Sequence, residues 1–158
     1  MPVNTVIDLL NITKGNSIDL QNYYDLIIKS KQKKWEFYNH ELIIGNTPQQ
    51  GINWIGPKLT NQTYNLLKAV LVRAMNNNNY NDGLRENGKY AYCFRLDNGN
   101  INYQIKPNMV LLQQQRFQYP IYLFIESPNR NELIYNGKYK VLNVVTNVGQ
   151  PYVLLQHI

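Results

Sequence analysis

The sequence predicts an α+β fold in which a small, strongly curved β-barrel carries a few packed helices and a helical N-terminal extension. Helical apolar periodicity is confined to residues 1–40. From residue 41 onward, short segments rich in β-branched and aromatic residues alternate with Gly, Asn and Pro, and one helix signal interrupts them. We therefore expect a helical extension over residues 1–40 and a barrel domain over residues 41–158.

The main helix of the extension is expected within residues 17–35. Ser17 is a suitable N-cap, because its hydroxyl can accept a hydrogen bond from a free backbone N–H of the first turn. A broad apolar face follows, made of Ile18, Tyr24, Leu26, Ile27 and Ile28. Lysines cluster between residues 29 and 34, where they suit the negative end of the helix dipole. A solvated helix end is the favoured interpretation of this cluster, with phosphate contact as the alternative.

The barrel domain begins with two predicted strands, at residues 41–44 and 67–75. The next two, at 90–96 and 101–105, flank Asn98-Gly99, which is a strong hairpin signal. Pro107 then suits the first turn of a short helix. The remaining strands are expected at 119–126, 132–135, 138–145 and 151–156, separated by residues 127–131, by a turn at Gly137 and by residues 146–150.

Composition and charge restrict the classes of partner. The 16 basic and 10 acidic residues give a net charge of +6, which favours a polyanion such as nucleic acid, with an anionic membrane surface second. Cys93 is the single cysteine, so a disulfide framework is excluded and a reducing compartment is indicated. Its apolar neighbours favour a buried packing role. With no signal peptide or membrane span in the sequence, we expect a cytoplasmic protein from a prokaryotic host.

The sequence offers little support for catalysis. His40 and His157 are far apart, and with one cysteine they form no recognisable zinc-ligand set. Phosphate-binding glycine loops, a nucleophile elbow and a convincing nuclease arrangement of carboxylates are also missing. We therefore expect a non-catalytic chain that needs neither a metal nor a cofactor.

One stretch places polar and aromatic residues in a distinctive order. Tyr80 and Tyr92 stand twelve residues apart, Asp82 lies between them, and Gly83 follows. Later segments are "PNMVLL" with Asn108, "YPIYLFIE", and "YNGKYKV" from Tyr135. From about residue 42, this ordered series resembles the SRA (SET- and RING-associated) domain, a PUA-like fold that reads modified cytosine in DNA. Asn136 stands where the family signature has aspartate, and residues 97–107 show no counterpart of the family's basic finger loop.

The resemblance implies a pocket for a flipped base. Tyr80 and Tyr92 would stack on the two faces of the base, Asp82 would accept a hydrogen bond from the cytosine N4 amino group, and the loop at Gly83 would supply backbone donors. Taken one residue at a time, simpler interpretations remain open. Tyr92 can pack in the barrel, and Asp82 can form an Asx-turn within its own loop.

The resemblance also implies a partner, which is duplex DNA carrying 5-methylcytosine or 5-hydroxymethylcytosine. Such modules direct another activity, so we expect a nuclease domain or subunit of a modification-dependent restriction system. The basic residues spread over strands and loops are predicted phosphate contacts, namely Arg73, Arg85, Lys89, Arg95, Lys106, Arg116 and Arg130. Residues 1–40 are expected to pack on the barrel through Ile18, Leu26 and Ile27, and to serve docking or orientation and not base recognition. The alternatives are an RNA or methyladenine reader, a small nuclease, and an interaction domain.

Overall fold

A mixed β-sheet organises the chain in the computed structural model, which describes residues 3–30, 43–46, 51–74, 82–128 and 131–158. Its strands are β1 (Ser17–Asp19), β2 (Ile43–Gly45), β3 (Ile52–Gly56), β4 (Ala69–Ala74), β5 (Gly83–Leu84), β6 (Tyr90–Cys93), β9 (Ile121–Glu126), β10 (Glu132–Val145) and β11 (Tyr152–His157), while β7 (Leu96–Asp97) and β8 (Asn100–Ile101) form a separate hairpin. The helices are α1 (Val6–Leu10), α2 (Leu20–Ser30), α3 (Lys106–Leu112) and α4 (Gln114–Phe117).

The strands follow the order β2-β3-β4-β9-β10-β11-β6-β5, and β1 pairs with one end of β10. β4 and β9 are parallel, and the other pairings are antiparallel. The predicted α+β class is confirmed. The described pairings trace an open path from β2 to β5, so the sheet is curved but is not a closed barrel.

The inner face of the curved sheet encloses one hydrophobic core. Strands far apart in the sheet contribute to it, for example Val72 of β4, Tyr90 of β6 and Val153 of β11, which lie in one cluster of buried side chains. Val110 and Leu111 of α3 close this core. Because apolar side chains from both halves of the strand order meet here, β6 is brought opposite β3 and β4 across the interior.

A second core lies on the outer face of the sheet, beneath the N-terminal helices. Leu9 of α1 and Tyr23 and Ile27 of α2 are buried against Leu71 of β4 and Phe124 of β9. The side chains of β4 therefore alternate between the two cores, as expected for a strand that is covered on both faces. The N-terminal helices are thus part of the buried structure of the sheet.

The start of α2 differs from the sequence prediction. Ser17 is a strand residue paired with Ile134, and the predicted N-cap at this position is therefore wrong. The helix begins at Leu20 instead, and the Oδ2 atom of Asp19 accepts a hydrogen bond from the Asn22 backbone N–H at 3.0 Å. Burial of Ile18 between exposed neighbours gives Ser17–Asp19 the alternation of a strand, which competes with the capping signal.

Other turn and helix predictions fare differently. At the predicted hairpin, Asn98 and Gly99 have φ values of 53° and 80°, so both adopt the left-handed conformation that this turn requires. The helix predicted at Pro107 is present as α3.

The turn predicted at Gly137 is wrong, because β10 continues through this position with a β-bulge. A side chain at Gly137 would place its Cβ 2.3 Å from His157 Nε2. The strand at Ile52–Gly56 was not predicted from the sequence.

Candidate functional site

Pairing of β5 with β6 holds Asp82 against the end of β6. Gly83 is aligned with Ala91, so the residue before Gly83 reaches the position of Tyr92 and Cys93. The Oδ1 atom of Asp82 accepts a hydrogen bond from the Cys93 backbone N–H at 2.7 Å. This carboxylate therefore bonds to the neighbouring strand, in contrast to the local Asx-turn that remained open from the sequence.

The surroundings of Asp82 disfavour its charged form. Burial raises the pKa of this carboxyl above its ordinary value of 3.8, and hydrogen bonds from Cys93 and the nearby charge of Arg85 only partly oppose that effect. Asp82 is nevertheless partly accessible at the edge of the sheet. A poorly hydrated carboxylate at an accessible edge is a strong hydrogen-bond acceptor for an incoming amino group.

Tyr92 lies beside Asp82 and points across the interior of the sheet. Its ring is half-buried against the inner core. A Cβ atom at Gly51 would lie 3.2 Å from the Tyr92 hydroxyl, so this hydroxyl reaches the start of β3. Burial raises the pKa of Tyr92 and the charge of Asp82 raises it further, whereas the charge of Arg73 lowers it.

Three of the four predicted pocket residues are thus brought together. Asp82, Gly83 and Tyr92 are adjacent at the β5–β6 edge. Tyr80 lies outside the described residues, so its place opposite Tyr92 stays a prediction. Cys93 was missed from the sequence, where its apolar neighbours indicated only packing. It is buried as expected, but its backbone N–H also holds the carboxylate in place.

An open groove of about 440 Å³ adjoins this edge, lined by Arg85, Val148, Gly149, Gln150 and Tyr152. Gln150 connects the groove to the site, because its Oε1 atom lies 3.8 Å from the Cys93 thiol sulfur. Tyr152 of β11 is the strand partner of Cys93. The sequence did not single out Val148, Gly149, Gln150 and Tyr152. A predicted turn and strand carry no information about the groove that their side chains line.

The predicted phosphate contacts separate into two groups. Arg85, Arg95, Lys106 and Arg116 are exposed and Lys89 is half-buried, so these five remain accessible to DNA. Arg73 is only 6% exposed, and its guanidinium lies over the ring of Tyr24. This burial argues against a phosphate contact by Arg73. Arg130 lies outside the described residues.

The described ranges contain neither a cluster of metal ligands nor a membrane-spanning helix. No three His, Cys, Asp or Glu side chains of these residues come together as a metal site would require. Among the helices that the structure describes, none has the length and apolarity needed to cross a bilayer.

Comparison with known proteins identifies the fold. No family model matches the chain, and no curated protein is significantly similar to it. The SUVH5 SRA domain in complex with hemi-methylated CG DNA is 14% identical, with a TM-score of 0.59, and the likeness covers 93% of this chain and 89% of that chain. For the SUVH5 SRA domain in complex with fully methylated CG DNA, the values are 18% identity, a TM-score of 0.50, and coverage of 68% and 73%.

A longer protein contains the same fold. KRYPTONITE, in complex with mCHG DNA and SAH, is 14% identical with a TM-score of 0.53, and the likeness covers 93% of this chain but 32% of that one. These likenesses confirm the SRA-like fold expected from the sequence. A coverage of 93% also extends the likeness into residues 1–40, which the sequence resemblance did not include.

Proposed function

We propose that the chain reads a modified base in duplex DNA, and that the base is 5-methylcytosine or 5-hydroxymethylcytosine. The observation that carries this proposal is the carboxylate of Asp82, fixed by the Cys93 N–H at 2.7 Å beside the ring of Tyr92. A fixed acceptor next to an aromatic ring suits the polar edge and the face of a cytosine. The SRA-like fold supports the same function, since the similar SUVH5 structures are described as complexes with methylated DNA.

Access to such a site requires the base to leave the duplex. A base inside the stack cannot present its face to Tyr92 and its amino group to Asp82 together, so base flipping is part of the proposal. Tyr80 would provide the second stacking face, as the sequence indicates. The groove of about 440 Å³ beside Arg85 and Tyr152 would receive the sugar and phosphate of the extruded nucleotide.

The proposed role is recognition, and the catalytic step would belong to another domain or subunit. A nuclease of a modification-dependent restriction system remains the proposed effector, on the basis of the sequence resemblance. Exposed Arg85, Arg95, Lys106 and Arg116 would hold the DNA backbone. Binding through several phosphates should weaken steeply with salt, because each contact releases condensed counterions.

A binding panel tests the proposal. Otherwise identical duplexes carrying cytosine, 5-methylcytosine, 5-hydroxymethylcytosine or N6-methyladenine are titrated at two salt concentrations. We expect a preference for one or both modified cytosines at each salt concentration, together with a fall in affinity for all duplexes as salt rises. Equal affinity for all four duplexes would contradict the proposal that the chain recognises a modified base. A preference for methyladenine or for RNA of the same sequence would favour the alternative readers, and metal-dependent cleavage of a plasmid would reveal a nuclease.

A further inference from the structure

Tyr24 and Arg73 connect the N-terminal helix α2 to strand β4. The guanidinium carbon of Arg73 lies 5.2 Å from the centroid of the Tyr24 ring, which is cation–π geometry. Arg73 is 6% exposed, and its neighbours along β4 are buried. Because a buried charge is costly without compensating partners, the aromatic face offered by α2 helps to hold this side chain in place.

The backbone of the same residue contacts the candidate base site. The Arg73 N–H donates a hydrogen bond to the Gly51 carbonyl at 2.7 Å. Gly51 has a φ of +78°, and a Cβ atom built on it would lie 3.4 Å from the Arg73 carbonyl oxygen and 3.2 Å from the Tyr92 hydroxyl. The absence of a side chain at Gly51 therefore allows this residue to pack against both the Tyr92 hydroxyl and the Arg73 backbone.

The electrostatic effect of Arg73 reaches tyrosines of both elements. Burial raises the pKa of both Tyr23 and Tyr92, and the charge of Arg73 opposes the rise in each case. Tyr23 belongs to α2 and Tyr92 to β6. The Arg73 charge therefore acts on one tyrosine of the N-terminal helix and on one tyrosine of the candidate base site.

We propose that Arg73 is a positioning residue that couples helix α2 to the orientation of Tyr92. Tyr24 fixes the guanidinium on the outer face of the sheet, and the Arg73 backbone fixes Gly51 against the Tyr92 hydroxyl on the inner side. Helix α2 then contributes to base preference, whereas the sequence led us to expect no such role for this segment. This inference rests on the proposed function, because Tyr92 is taken to be a stacking face of the reader site.

The coupling predicts a loss of preference without a loss of general DNA binding. Arg73 is buried, so changing its surroundings leaves the exposed phosphate contacts intact. A displaced Tyr92 should weaken binding to the modified duplex and leave the unmodified duplex almost unaffected. The ratio of the two dissociation constants is therefore the informative quantity.

The test compares Tyr24→Leu with Tyr24→Phe in the full chain. Leucine removes the ring over Arg73, whereas phenylalanine keeps it. We expect the ratio of the two dissociation constants to fall about threefold or more in Tyr24→Leu, which corresponds to the loss of a cation–π contact. The ratio should keep its wild-type value in Tyr24→Phe. An unchanged ratio in a folded Tyr24→Leu protein would overturn the coupling while leaving the reader function intact. A wild-type protein without any preference would instead contradict the function itself.

A second pair of variants tests the inner contact without DNA. Gly51→Ala and Gly99→Ala both introduce a side chain at positive φ, but no atom lies within 4 Å of the Cβ position at Gly99. In protein labelled with 3-fluorotyrosine, the Tyr92 resonance is assigned by its loss in Tyr92→Phe. We expect this resonance to shift in Gly51→Ala and in Tyr24→Leu, and to stay in place in Gly99→Ala. The shift in Gly51→Ala shows that the probe senses the contact at Gly51. If the resonance stays in place in Tyr24→Leu, the coupling is refuted even if Tyr24→Leu changes DNA binding.

Discussion

Asp82 and Asn108 perform the same local task with different chemistry. Each side chain accepts a backbone N–H at 2.7 Å, Asp82 from Cys93 and Asn108 from Arg95. Asn108 is 1% exposed and also donates to the carbonyls of Arg95 and Asn102, at 3.1 and 3.0 Å. Asp82 stands at an accessible edge, where burial raises its pKa.

The different surroundings of the two residues favour different roles for them. A neutral amide with each of its groups hydrogen-bonded stabilises a buried crossing of three backbone segments. A carboxylate that accepts the same kind of bond must in addition be desolvated, which is unfavourable for its charged form. An amide oxygen would accept the same hydrogen bond from the Cys93 N–H with a smaller desolvation penalty. The carboxylate at position 82 therefore fits the proposed role of Asp82 as the acceptor for the amino group of a base.

The largest expected effect is on stability, at Asn108. Asn108→Ala removes three hydrogen bonds and leaves the N–H and C=O of Arg95 and the C=O of Asn102 without this partner. We expect the free energy of unfolding to fall by about 3 kcal/mol. Denaturant unfolding measures it, and the surviving folded protein should keep its preference for the modified duplex. If Asn108→Ala is as stable as the wild type, Asn108 does not have the structural role that the comparison assigns to it.

The next effect is on binding, at Asp82. Asp82→Ala should weaken binding to the modified duplex by about 1–3 kcal/mol, the range for one good contact to a base edge. Unmodified duplex, held through phosphates, should lose far less. Asp97→Ala is the matched control for charge, because it removes an equal charge from the exposed hairpin. It also removes the ion pair of Asp97 with Arg95, at 3.6 Å, and this change should affect the modified and unmodified duplexes alike. If the two variants discriminate between the duplexes equally well, Asp82 does not read the base.

The smallest effect is on the pH dependence of stability. Since the folded-state pKa of Asp82 lies above its ordinary value of 3.8, the folded protein binds more protons than the unfolded chain between those two values. Stability contributed by this residue therefore falls as pH rises through that window. Asp82→Asn keeps an oxygen for Cys93 and lacks the titration.

The measurement compares the unfolding free energies of the two proteins from about pH 3 to about pH 7. The advantage of Asp82→Asn over the wild type should grow with pH above 3.8 and then level off. Asp97→Asn corrects for the change in overall charge. A wild type that gains stability relative to Asp82→Asn as pH rises would show that hydrogen bonding to the carboxylate outweighs its desolvation.

The sequence patterns predicted the features that follow from the backbone conformation that a residue itself prefers. The hairpin at Asn98-Gly99 and the helix at Pro107 follow from conformations that these residues prefer. Gly137 shows the limit of such signals, since a glycine between two apolar segments indicates a turn and a bulge equally well. The strand pairing decides between them, because Gly137 stays paired with Leu123 of β9 and the register shifts just before it.

The candidate site was predictable to the same extent. The order of Asp82, Gly83 and Tyr92 was visible in the sequence, and pairing of β5 with β6 brings them together. Burial of Arg73 was not visible, because it depends on a ring contributed by Tyr24, far away in the chain. Net charge correctly counts an arginine as basic, but it carries no information about which face of a strand the side chain occupies.

The pairing of β1 with β10 has a consequence for the order of folding. Ser17–Asp19 hydrogen-bonds to Glu132–Ile134, a partner that is separated from it by most of the chain. During synthesis, the first strand has no edge to join until this late segment has left the ribosome. The outer core beneath α1 and α2 must therefore assemble after most of the sheet, at the cost of closing a long loop. Until then, the apolar side chains of α1 and α2 lack their partners on the sheet, and exposed apolar surface of this kind favours aggregation during folding.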